Sequence, residues 1–316
     1  MATTAFRAIA RQAVHWHRPL LIFAAVNALL AVVALIGMAA DDRLIAGSPA
    51  WFKPFKFAMS FVLYCPAWAW LISLHPRGSR LLWWTGTTVV TAGAIEQAII
   101  VAQVLRGARS HFNTTTTVDT ALWTVMTVTI IVLFLGTLAL GAALAFQQLG
   151  DAANSWAIRI GILISLVGMA LGQLMPGRES GVDGIAGAHT VGAADGTPGL
   201  PLTGWSTTHG DLRIPHFVGM HALQLLPLFA AALTLSAARL PVLRRARVRL
   251  GLVWTAGIGY AGLLTLLTWQ ALRGQSLVRP DGATTAAFGV LVAMVPLGVL
   301  LSVTSARIPR PPAVAR

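Results

Sequence analysis

Two histidines on one predicted helix, His216 and His221, are the residues of this chain best placed to ligate a metal. Pro215 suits a helix's first turn, which sets His216 near the N-terminal end, where the helix dipole disfavours imidazolium. A neutral imidazole is what a transition metal or a haem iron requires. The two histidines are five residues apart, hence about 140° apart around a regular helix, unlike the i, i+4 pair of a zinc protease. A shared centre therefore needs a distorted helix or a further ligand from a loop, and His111 and His209 are the loop histidines available. On these grounds His216, His221 and His209 are the expected ligands of haem b or of a transition metal, Cu, Fe or Zn. Buried, hydrogen-bonded histidines are the competing reading.

A second group could handle anions and protons. Gln103-Val-Leu-Arg106-Gly107 and Gln270-Ala-Leu-Arg273-Gly274 share the pattern QxLRG. A guanidinium offers a two-pronged fork to a carboxylate, a phosphate or a haem propionate, so Gln103, Arg106, Gln270 and Arg273 are candidate anion-binding residues, with Lys56 and Lys53 nearby. Snorkelling to the membrane interface is the alternative for both arginines. Glu96, ten residues before Arg106 on the same face, is a candidate proton-active carboxylate; a Glu96 protonated or bonded to a Thr of a neighbouring helix is the competing reading. Ser110-His111-Phe112-Asn113 followed by Asp119 offers His111 and Asp119 as acid–base or hydrolytic candidates, at low specificity. The sequence contains no GxSxG, HExxH, P-loop, GxGxxG or CxxCH motif, which weakens several familiar enzyme classes and c-type haem attachment.

The elements that must carry these residues are membrane spans. Apolar residues make up 56% of the 316, charged residues only 10%, a composition whose natural solvent is the bilayer. Stretches of the roughly 20 apolar residues that cross a hydrocarbon core run from Leu20 to Ala40, Pro54 to Leu74, Leu81 to Leu105, Val118 to Phe146, Trp156 to Met175, Ile214 to Ala238, Leu250 to Leu272 and Thr284 to Val303. The expected fold is an all-α polytopic helix bundle of about eight transmembrane helices.

The net charge of +13 does not indicate a nucleic-acid partner, because the cations do not share one surface. They collect before the first span (Arg7, Arg11, Arg18), between the second and third (Arg77, Arg80), at Arg159, between the sixth and seventh (Arg239, Arg244, Arg245, Arg247, Arg249) and in the tail (Arg307, Arg310, Arg316). The positive-inside rule makes that side cytoplasmic and places both termini there, in a cell membrane. Residues 1–19 read as a cytoplasmic or interfacial segment and 307–316 as a cytoplasmic tail. A cleavable signal is the rival for the start, and Cys65, the only cysteine, excludes a disulfide framework.

The QxLRG pair belongs to a longer series. Pro54, Met59 and Pro66 recur as Pro215, Met220 and Pro227, Gly37-Met38-Ala39 as Gly168-Met169-Ala170, and Thr116-Thr117 with Met126 as Thr284-Thr285 with Met294. Four matches in one order predict two parallel four-helix repeats, 20–150 and 151–306. The second carries a Gly-rich insertion, 176–213, with nine glycines, expected to be a partly ordered outer lid.

The polar residues gather at the side opposite the arginine clusters, and the cytoplasmic halves of the spans carry little besides Thr. That asymmetry favours a one-sided pocket: a metal- or haem-dependent redox or hydrolytic site with an arginine pair for a small anionic molecule. A proton-coupled transporter or receptor for a small anion is the second class, and a structural or assembly protein the third.

Overall fold

A computed structural model describes residues 16–75 and 79–304; most of the predicted N-terminal segment, Arg77 and the predicted tail lie outside the described residues. Eight helices are long and apolar enough to cross a membrane: α1 (Arg18–Ala40), α2 (Phe52–Ser73), α3 (Arg80–Leu105), α4 (Thr117–Ala145), α5 (Ala152–Leu171), α6 (Arg213–Ser236), α7 (Ala246–Leu272) and α8 (Gly282–Thr304). They fit an all-helical integral membrane protein.

Local chemistry sets their ends. Ser79, Thr116 and Asp151 each accept the N–H of the residue three positions on, which starts α3, α4 and α5. The Asp151 cap begins α5 at Ala152, four residues before the Trp156 predicted from hydropathy, because its first turn is too polar to register as a span. Gly107 and Gly274, at φ +70° and +71°, turn the chain out of α3 and α7 in the left-handed conformation that only glycine adopts freely.

In the first half α1 packs on α2 and α3, α2 on α3, and α3 on α4; in the second, α5 packs on α6 and α7, α6 on α7, and α7 on α8. The halves meet where α4 touches α5 and α2 touches α6. α5 lies close on α6: a Cβ on Gly168 would lie 2.5 Å from the carbonyl carbon of Gly219, so the two backbones touch there as small residues permit. Away from the lid, α1 to α4 are packed by an apolar cluster that includes Leu20, Trp68, Leu71, Leu82, Leu140 and Leu144.

The insertion is ordered. It contains a two-stranded ribbon of β3 (Thr190–Val191) and β4 (Gly210–Asp211), and a second of equal size, β1 (Leu44–Ile45) with β2 (Ser48–Pro49), follows α1. Thr114 N–H donates to Gly184 O and Ala186 N–H to Phe112 O, both at 2.7 Å, which fastens the lid to the α3–α4 loop. Ser276 donates to Ser206 O at 3.3 Å, which fastens it to the α7–α8 loop. Phe112, Met175, Val191, Leu212 and Ala271 form its own apolar core.

Candidate functional site

Under that lid lies a cluster of titratable side chains built from three parts of the chain. Glu96, on α3, is buried; its Oε2 accepts from Thr129 Oγ1 of α4 at 2.9 Å. Its other oxygen, Oε1, has no hydrogen bond and lies 3.4 Å from His111 Nε2. His111 reaches this depth because the α3–α4 loop folds inward at Phe112, whose φ of +61° is a left-handed conformation costing about 1–2 kcal/mol. The Phe112 carbonyl bond to the lid, and packing of the Phe112 ring on Trp123 at 4.9 Å, offset that cost. Phe57 and Trp123 hold the His111 ring from two sides, each at 5.6 Å between centroids.

The lid supplies the second unit. His189 Nδ1 lies 2.6 Å from Asp195 Oδ2, and Asp195 Oδ1 accepts from the backbone N–H groups of His189 and Thr190. Burial lowers the His189 pKa despite the aspartate. Burial opposes ionisation of Asp195, but the His189 contact and the Thr190 N–H outweigh it and hold the carboxyl below its usual range. A neutral His189 bonded to a carboxylate carries its proton on Nδ1, which leaves Nε2 as a base. Phe112 stands between the histidines, 6.0 Å from the His111 ring and 5.0 Å from that of His189. Lys53, in the first turn of α2, holds its ammonium 6.0 Å over the Phe57 ring and makes no hydrogen bond or ion pair with the described residues. Its charge nevertheless acts on Glu96, His111 and Asp195.

His111 is held well below its ordinary pKa, first by burial and then by the charges of Lys53, His189 and His216. Both loop histidines are therefore neutral in the fold, whereas in the unfolded chain they protonate near pH 6.5. Their contribution to stability is complete above that pH and lost as pH falls through the window below it, at about 1.4 kcal/mol per pH unit for each imidazole. Thermal unfolding should show a lower Tm at pH 5 than at pH 7.5, and a double variant, H111Q with H189Q, should flatten the slope. An unchanged slope would place the titration elsewhere.

The predicted ligand histidines do not converge. His216 binds Gly168 O through Nδ1 at 2.7 Å, His221 packs on Phe217 with Nε2 buried and unbonded, and His209 contacts Thr208 at the lid's edge. Among the described residues no three His, Cys, Asp or Glu side chains gather as a metal would require.

The QxLRG arginines have carboxylate partners. Arg106 Nη1 bonds Asp119 at 3.0 Å and Gln103 at 2.8 Å; Arg273 bonds Asp281 and lies 4.3 Å over the Trp269 ring. The glutamines act alike: Gln103 Nε2 donates to Arg109 O and Gln270 Nε2 to Ser276 O, each six residues on. Both motifs thus lock a helix end to the loop that follows. Lys56 donates to Thr203 O of the lid at 2.9 Å. Asp119 is buried and also accepts from Gln103, Thr115 and Thr116, whereas Asp281 is 38% exposed. Asp119→Ala should therefore cost about 3 kcal/mol by stranding buried donors, and Asp281→Ala distinctly less. Denaturation midpoints of equal size would contradict this.

Of the predicted catalytic residues, then, Glu96 and His111 come together and Asp119 belongs to a structural network. Lys53, expected among the anion-binding residues, lies beside them, and His189, Asp195 and Thr129 join the site from outside the predicted set. His189 and Asp195 carried one legible signal, two titratable residues within a Gly-rich insertion. No family model matches this sequence, and neither a curated protein nor a solved structure similar to it is found.

Proposed function

We propose that this integral membrane protein is a one-sided acid–base enzyme, with its working centre beneath the lid and a small anionic molecule as substrate. The observation that carries this reading is the buried Glu96 carboxylate, whose Oε1 faces only the neutral His111 imidazole, 3.4 Å away. Once Glu96 takes up a proton, the neutral imidazole is placed to receive it and to return it at little geometric cost. His189, backed by Asp195, serves as the general base, as a carboxylate-oriented imidazole does elsewhere. Lys53, an unpaired ammonium beside them, takes the substrate's negative group. The reading calls for no metal.

A carrier would need a polar route through the bundle, and the apolar packing of Trp68, Leu71 and Leu140 below the site disfavours one. The arginine-rich side is taken as cytoplasmic, so the lid faces outward. We also read the two halves as a duplication, supported by their matching helix pairings and by the twin glutamine and glycine geometry of the QxLRG ends.

The test is a panel of small carboxylates and phosphate esters offered to the purified protein. At least one should raise Tm and be turned over. Lys53→Met should abolish the rise, and His189→Asn should keep it while slowing turnover by roughly 10²–10⁴-fold. A ligand that stabilises wild type and K53M equally, or turnover indifferent to H189N, would refute the assignment.

A further inference from the structure

At the opposite face of the bundle, where α4 ends and α5 begins, a cleft of about 390 Å³ is lined by Gln148, Gly150, Asp151, Ser155, Trp156 and Arg159. We propose that it binds the phosphate of an anionic phospholipid in that leaflet, with Arg159 as the principal contact. Arg159 is the eighth residue of α5, about 10 Å along the helix from its start. A guanidinium at that depth is costly unless an anion meets it. Arg43, Arg106, Arg213, Arg249 and Arg273 each have an aspartate partner. Arg159 has no carboxylate within ion-pair distance among the described residues: its Nη2 donates to Gln147 O at 2.9 Å, and its Nε is buried without an acceptor.

The aspartate in the cleft does not fill this role. Asp151 Oδ2 is taken by Arg249 at 2.6 Å and its Oδ1 by the N–H of Asn154, so the cleft keeps the charge of Arg159. Ser155 Oγ accepts from Leu149 N–H, which leaves its hydroxyl proton to donate. The surroundings point to a lipid rather than a dissolved ion. Trp156, tilted against Trp254 at 4.7 Å between centroids and 5.3 Å from the Arg159 guanidinium, is exposed at the cleft's rim, and Phe146, at the end of α4, is 92% exposed. Exposed aromatics at helix ends occupy the headgroup layer. A phosphodiester at that level meets the guanidinium fork while its acyl chains lie along the apolar faces of α4 and α5.

The full chain in detergent, mixed with equal amounts of phosphatidylglycerol and phosphatidylcholine, can be examined by native mass spectrometry. Phosphatidylglycerol should be retained preferentially. Arg159→Met should cut that retention about tenfold or more, Arg159→Lys should cut it less, and Arg178→Gln, on the lid, should leave it unchanged. Equal retention of the two lipids overturns the proposal, as does undiminished retention in R159M. Should R159M not assemble, R159K decides: it keeps the charge and loses the fork, and retention equal to wild type would overturn the assignment. Inorganic phosphate at millimolar concentration should not displace the lipid; displacement would assign the cleft to free phosphate instead.

Discussion

Gly168→Leu should leave almost no assembled protein. The added side chain would start 2.5 Å from the Gly219 backbone, and backbone cannot rotate aside as a side chain can. α5 would have to lift from α6 along a seam that also brings Gly161 against Ala222 O and Gly172 against the His216 ring. Overpacking by even a few atoms costs 1–3 kcal/mol, and a clash that separates two helices costs more, against a total stability of about 5–15 kcal/mol. Gly177, with nothing within 4 Å of its would-be Cβ, is the control, and Gly177→Leu should stay within about 0.5 kcal/mol of wild type. Fluorescence-detected gel filtration and the unfolding midpoint report both. A G168L protein that elutes and melts like wild type would mean that these two helices do not meet as described.

His111→Ala should be the most damaging change within the site itself. It removes a ring packed between Phe57 and Trp123 and takes the imidazole away from the buried Glu96 Oε1, which has no hydrogen bond of its own. Deleting a packed buried side chain costs about 2–5 kcal/mol, and loss of the polar ring beside a buried carboxyl oxygen adds to it. His111→Ala combined with Glu96→Gln should therefore be less destabilising than the sum of the single changes, by about 1–3 kcal/mol. Strict additivity in denaturant midpoints would show that the carboxylate and the imidazole do not interact.

The spans were legible because each is a long apolar run; their ends differ from expectation chiefly at α5, where a polar first turn after Asp151 hides the start and a 3-10 turn from Gly172 replaces the expected last turn. Glu96 was legible for the same reason inverted: one carboxylate in an apolar helix is conspicuous. Its partner was not, since the contact depends on a left-handed Phe112 that swings His111 inward, and a lone Phe at positive φ leaves no mark in the sequence. His189 and Asp195 meet six residues apart inside a loop without periodicity, where spacing predicts nothing. Arg106 and Arg273 looked like an anion clamp because two matching guanidinium groups end two matching helices. Their aspartates lie 13 and 8 residues further on, and only the fold returns them to the helix end.

The central claim is that Glu96 gains and loses a proton in contact with His111. Infrared difference spectra of the protein in nanodiscs, recorded through a pH titration, read this directly from the carbonyl stretch of a protonated carboxyl group. The account predicts a band that appears as pH falls, vanishes in Glu96→Gln and shifts its midpoint in His111→Gln. A band that persists unchanged in Glu96→Gln, or a Glu96 band indifferent to His111, would contradict it.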